Sequence, residues 1–171
     1  GRSSIKEIEK TINFLKRKKF KKFSILYCVS SYPTQLEELN LNAIKYFKSK
    51  FKCKVGFSDH TSGVEASIAA VAIGADYIEK HLTLNKSEKG PDHKSSIEPT
   101  ELSKMIKIIR QLQLKKQFKK EPTKNELKTK IKATRSLFAF KNILRGTKVK
   151  NVDIISLRPA IGIKPEYFKK I

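Results

Sequence analysis

Cysteine is scarce: Cys28 and Cys53 are the only two among 171 residues. Two thiols cannot build a disulfide framework, and no Cys-x-x-Cys pair is present for zinc or redox work. Both are expected to be inert thiols in a reducing cytosol. Long apolar runs are missing as well, since no stretch approaches the roughly 18 consecutive apolar residues of a membrane span. The start lacks the charged, apolar, small-residue order of a secretory leader. The expectation is a cytoplasmic protein without a membrane partner. Gly1 rather than Met opens the sequence, so the chain reads as a piece of something longer. With 39% hydrophobic residues, its length allows one domain, or one plus a small appendage.

Acidic residues are also few. Lys+Arg number 38 against 16 Asp+Glu, a net charge of +22. Such a balance invites a nucleic-acid reading, so its distribution decides. Residues 1–22 carry nine Lys/Arg against two Glu, net +7, and residues 104–150 carry sixteen against two, net +14. Residues 57–101 hold four Lys against eight acids, net −4. The central segment also holds most of the unusual polar residues: Ser58, Asp59, His60, Glu79, His81, Asp92 and His93. A nucleic-acid module would put its positive charge on the reading surface, and Arg rather than Lys would lead. Runs such as Lys16-Arg17-Lys18-Lys19 read better as solvated helix ends.

Periodicity predicts helices over residues 3–19, 39–50, 62–73 and 99–113, with Ser3 or Ser4 capping the first and Gly74 closing the third. Short β-rich runs at 23–29, 55–58 and 76–82 alternate with them. A polar loop spans 85–97. Alternation of this kind means parallel strands with helices outside. Three strands are too few for a closed barrel, so the unit is either a small open α/β sheet or about half of a barrel. A Lys-rich stretch around Pro122 reads as a linker. Beyond Arg135, short apolar runs broken by Gly146, Pro159, Gly162 and Pro165 make a second, β-rich unit with a meagre core.

In parallel α/β folds the functional groups gather at the C-terminal ends of the strands. Ser30 and Tyr32 follow the first strand, Ser58-Asp59-His60 ends the second, and Glu79 and His81 lie on the third. Neighbouring strands run about 4.8 Å apart, so His60 and His81 could share one divalent ion. On spacing alone, two histidines hydrogen-bonded at a sheet edge is the more ordinary reading. Glu79, two residues before His81, points to the same side. Asp92 either reaches over the mouth toward substrate hydroxyls or serves a turn. His93 reads as a loop residue without an evident partner.

Ser58-Asp59-His60-Thr61, Ala69 to Ala75, Ile78-Glu79-Lys80-His81 and Gly90 to Pro99 together closely resemble the N-acetylneuraminate (sialic acid) synthase family, as do Ser30-Ser31-Tyr32-Pro33 and Asn40-Leu41. The resemblance covers almost the whole chain. It implies condensation of phosphoenolpyruvate with an N-acyl mannosamine-type aldehyde, giving a nine-carbon 2-keto acid and phosphate. It implies an α/β fold, namely a (β/α)8 TIM barrel of which residues 1–116 supply the last three strands and their helices. Residues 117–134 would be a linker, and 135–171 the truncated start of an antifreeze-like domain exchanged within a homodimer.

By the same resemblance His60 and His81 hold a divalent metal, Mn2+ ahead of Mg2+ or Co2+, with Glu79 beside it. Ser58 and Ser30 line the phosphate site, Tyr32 and Asp92 contact the sugar, and Arg158 meets its N-acyl group. Tyr27 and Val29 depart from the family's His or Gln and Thr, which is expected to alter the floor of the phosphate site. Ala160 replaces the Gly that usually follows Arg158-Pro159. The Gly-Pro-Asp-His-Lys loop resembles the neuraminate and legionaminate branch more than the pseudaminate one. A fragment with three strands is expected to be inactive alone. Its rivals are a basic nucleic-acid-binding protein, against which the net −4 centre argues, and an inactive binding remnant.

Overall fold

Helices and strands alternate as the sequence predicts in the computed structural model, which describes residues 1–20, 22–113 and 121–170. The first helix, α1 (Ile5–Arg17), begins at a reciprocal capping box. Ser4 Oγ accepts the Glu7 N–H, and the Glu7 carboxylate accepts the Ser4 N–H at 2.7 Å. Strands β1 (Ser24–Cys28), β2 (Lys54–Asp59) and β3 (Ile78–Lys80) form one parallel sheet in the order β1-β2-β3. Parallel neighbours need crossover helices, which α2 (Asn42–Phe51) and α3 (Glu65–Ala72) supply; α4 (Pro99–Gln113) follows β3.

Side chains alternate across a strand, and this sorts the sheet into two faces. Val55 and Phe57 pack on the helix side into a buried core with Ile12, Ile44, Phe47 and Ala70. A second cluster of Ile97, Met105 and Ile109 seats α4 against Ile68 and Val71 of α3. The alanines of α3 let it lie close, with Ala66, Ser67 and Ala70 all buried. Gly74, at φ +111°, ends the helix in a conformation that a residue with a Cβ rarely adopts. On the other face the register sets Cys28 beside Ser58 and Ser58 beside Glu79.

Two element boundaries differ from expectation for local reasons. β3 is shorter than 76–82 because the Asp76 carboxylate receives the Val55 N–H at 2.8 Å and Leu82 pairs in an isolated bridge with Ile97. Leu36–Glu38 forms a 3-10 turn, so α2 starts at Asn42 rather than near Leu39.

The chain divides into two compact units, Gly1–Lys116 and Gln117–Ile171. In the second, helix α5 (Lys124–Ala133) occupies part of the stretch expected as a linker; a Thr123–Glu126 capping box opens it. Strands β4 (Ser136–Ala139) and β5 (Ile154–Leu157) then pair antiparallel. No helix among the described residues is long and apolar enough to cross a membrane.

Candidate functional site

His60 and His81 follow the ends of β2 and β3, and their ring centroids lie 5.3 Å apart. The Tyr32 ring completes the group, 4.2 Å from His60 and 6.0 Å from His81. His60 is buried, and its Nδ1 lies 3.0 Å from the Val29 carbonyl oxygen. A carbonyl only accepts, so Nδ1 carries a proton, and in the neutral ring Nε2 then holds the lone pair. Cys28 Sγ lies 3.6 Å from the same nitrogen. Thr34 ties the loop bearing Ser30 and Tyr32 to this point: its N–H donates to the His60 carbonyl (2.9 Å) and its hydroxyl to the Ser31 carbonyl (2.8 Å).

Ser58 donates its hydroxyl proton to Glu79 Oε1 at 2.6 Å, so the two lie on one face. Asp92 Oδ2 stands 3.7 Å from His81 Nδ1, beyond a direct hydrogen bond. Ser30 is half-buried, with Oγ 3.8 Å from Cys28 Sγ. These residues therefore gather at one end of the sheet of the first unit. Arg158 belongs to the second unit, one residue past β5. His93 is not partnerless, since its Nδ1 lies 2.8 Å from Thr83 Oγ1. Tyr27 also differs from expectation. It faces the helix side, stacked on Phe57, and its hydroxyl accepts the Asn40 N–H at 2.8 Å. Its side chain therefore lies on the face opposite Ser58 and Glu79 rather than on the floor of their site.

Sequence reasoning did not anticipate the partners behind the histidines. The Val29 carbonyl carries no residue-type signal, and Cys28 is signalled only by its register beside Ser58. On the helix side, Lys80 pairs with Asp59 at 3.2 Å, their side chains 3% and 0% exposed. Burial pushes the Lys80 ammonium below the ordinary lysine value, and the Asp59 carboxylate opposes that shift.

The donor set bears on metal binding. Among the described residues no group of three or more His, Cys, Asp or Glu side chains is arranged to hold an ion. His60 and His81 fit as two nitrogen ligands, because Nε2 of His60 has no hydrogen-bond partner among the described residues and the 5.3 Å ring separation is short enough to converge on one ion. Such a pair leaves further positions for oxygen ligands, which suits a divalent Lewis acid. A hollow of about 950 Å³ at the opposite end of the strands is lined by Lys16, Lys48, Lys54 and Asp76. The Asp76 carboxylate is already occupied there by Val55 N–H and Lys48.

Known proteins share this arrangement of sequence and fold. The chain is 41% identical over 166 residues to the N,N'-diacetyllegionaminic acid synthase of Campylobacter jejuni, covering 95% of this chain and 50% of that protein. It is 35% identical over 172 residues to the pseudaminic acid synthase of the same species, covering 100% and 50%. The crystal structure of the N-acetylneuraminic acid synthetase of Leptospira borgpetersenii, in complex with citrate, superposes with a TM-score of 0.66 at 40% identity, over 75% of this chain and 45% of that one. The chain thus spans about half the length of the relatives it matches. The NeuB family model matches residues 1–121, the segment that carries both strand-top histidines, and the chain belongs to the NeuB family.

Proposed function

We propose that the protein carrying this chain acts in the cytoplasm to condense phosphoenolpyruvate with an N-acyl mannosamine-type sugar in its open-chain aldehyde form. C3 of phosphoenolpyruvate bonds to the aldehyde carbon, water adds at C2, and the bond from C2 to the phosphate oxygen breaks. The products are a nine-carbon 2-keto acid and inorganic phosphate. The observation that supports this reading is the convergence of His60, His81 and Tyr32 at the strand ends, in a NeuB-family chain. The higher identity to the legionaminate relative than to the pseudaminate one favours a neuraminate- or legionaminate-type sugar, as does the Gly90-Pro91-Asp92-His93-Lys94 loop.

In this reading His60 and His81 hold a divalent ion, Mn2+ before Mg2+ or Co2+, which supplies a Lewis acid for the aldehyde oxygen. The Val29 carbonyl keeps the proton on His60 Nδ1 and so presents Nε2. Ser30 offers its hydroxyl to the phosphate; Ser58, whose hydroxyl donates to Glu79 Oε1 at 2.6 Å, would turn that single donor to the phosphate when substrate binds. Tyr32 and Asp92, both exposed, bind sugar hydroxyls. Residues 135–171 belong to an antifreeze-like domain whose Arg158 reaches the N-acyl group across a homodimer.

The test is phosphate release from phosphoenolpyruvate and N-acetylmannosamine in the full protein with Mn2+. His60→Ala and His81→Ala are each expected to abolish turnover and weaken Mn2+ binding. Full activity of either variant after chelator treatment overturns the assignment.

A further inference from the structure

His60 and His81 follow the ends of separate strands; on their own face their rings lie 5.3 Å apart with Tyr32 beside both, and Ser58 donates to Glu79 two residues earlier in each case. Their chain neighbours are bonded on the reverse face. Lys80 Nζ lies 3.2 Å from Asp59 Oδ2, and both side chains are out of solvent. Asp59 Oδ1 accepts from the Thr61 N–H and the Thr61 hydroxyl, each at 2.8 Å. The carboxylate therefore spans His60 and fixes the turn that carries it. Lys80 donates to the Thr61 carbonyl at 2.5 Å, and Ser67 of α3 donates to Asp59 Oδ2 at 2.5 Å. Both chain neighbours of His60 are thus tied to the residue that precedes His81.

Stability alone does not account for an ion pair here, because well-packed apolar groups of similar volume often do as well or better. Geometry does. We infer that Asp59 and Lys80 are a positioning pair that fixes the spacing of the His60 and His81 imidazoles from the opposite face of the sheet. Its consequence for metal affinity rests on the two-histidine reading above. The pair touches no substrate-facing group, so it acts only through the two strand ends. Groups hydrogen-bonded directly to a ligating histidine alter metal affinity by about ten- to a hundredfold, which sets the scale for a pair that acts one step further back, through the backbone of both.

The test uses the full protein, with Lys80→Met as the single variant and Asp59→Asn with Lys80→Met as the double. The double variant removes both charges yet keeps an acceptor for Thr61, and it is expected to melt near the wild-type temperature. Two readouts go beyond folding. In metal-free protein with labelled histidines, the nuclear Overhauser contact between the His60 and His81 rings is expected to weaken. Mn2+ affinity by calorimetry is expected to fall at least about tenfold. A folded double variant with the wild-type ring contact, or with wild-type Mn2+ affinity, overturns the inference. A double variant that does not fold overturns it too, since the pair is then a folding element. If the wild type binds no Mn2+, the proposed function fails by itself, and the ring contact still decides the positioning role.

Discussion

At Tyr27, strand alternation outweighs position in a motif. The residue sits one place before Cys28 and therefore faces the helices, where it contacts Phe47 and Phe57 and accepts the Asn40 N–H. Tyr27→Phe is expected to cost about 1 kcal/mol by removing that acceptor, with the KM for phosphoenolpyruvate unchanged. Denaturant unfolding and steady-state kinetics check the two halves; a severalfold rise in KM would instead place Tyr27 in the site. That Glu79 shares the face of His81 was legible because a period of two dictates it, whereas its register beside Ser58 was not. The Thr83 partner of His93 was not, since a contact across a ten-residue loop leaves no local pattern. Nor was the Val29 carbonyl, because a backbone acceptor has no residue-type signature.

Elements were legible where periodicity and punctuation agree. Helix α4 occupies Pro99–Gln113 as its spacing predicts, and Gly74 closes α3. Helix α5 escaped because its capping box lies among lysines that read as solvated linker. Pairing details escape for another reason: they depend on side chains that replace backbone bonds. Asp76 is the clearest case, joining three elements through Val55 N–H of β2 and Lys48 of α2 at the approach to β3. Burial raises the Asp76 pKa, but the hydrogen bonds from Lys48 and Val55 and the nearby lysine charges outweigh it, and the net shift is downward. A lowered folded-state pKa contributes stability that is present above the unfolded value, about 3.9, and lost as pH falls through the folded one. Asp76→Asn is therefore expected to lower stability by about 1 kcal/mol at neutral pH. The gap to wild type should stay level above about pH 5 and close as pH drops below about 4. Urea unfolding across that range measures it, and a gap that widens in acid contradicts the assignment.

At the scale of the whole molecule, charge and sheet topology point the same way. The net −4 of residues 57–101 surrounds a site whose charged side chains among Ser30, Tyr32, Ser58, His60, Glu79, His81 and Asp92 are carboxylates, with no lysine or arginine. Lys80, the nearest in sequence, faces the helices and is spent on Asp59. Phosphoenolpyruvate carries a phosphate and a carboxylate, and preorganised cations are the usual means of holding such groups. None of these seven side chains supplies such a cation, so counter-charges for phosphoenolpyruvate have to come from other residues. The sheet is also open. β1 and β3 are both edges, and Leu26, Leu82 and Leu84 are exposed at 37%, 55% and 84%. Unpaired parallel edges beside apolar side chains favour pairing with another chain. Residues 1–171 expressed alone are therefore expected to elute well above the 19.6 kDa of a monomer and to release no phosphate from phosphoenolpyruvate and N-acetylmannosamine with Mn2+. Turnover by the isolated monomeric chain would show that these strands and these seven residues suffice, and the dependence on the rest of the protein would fall.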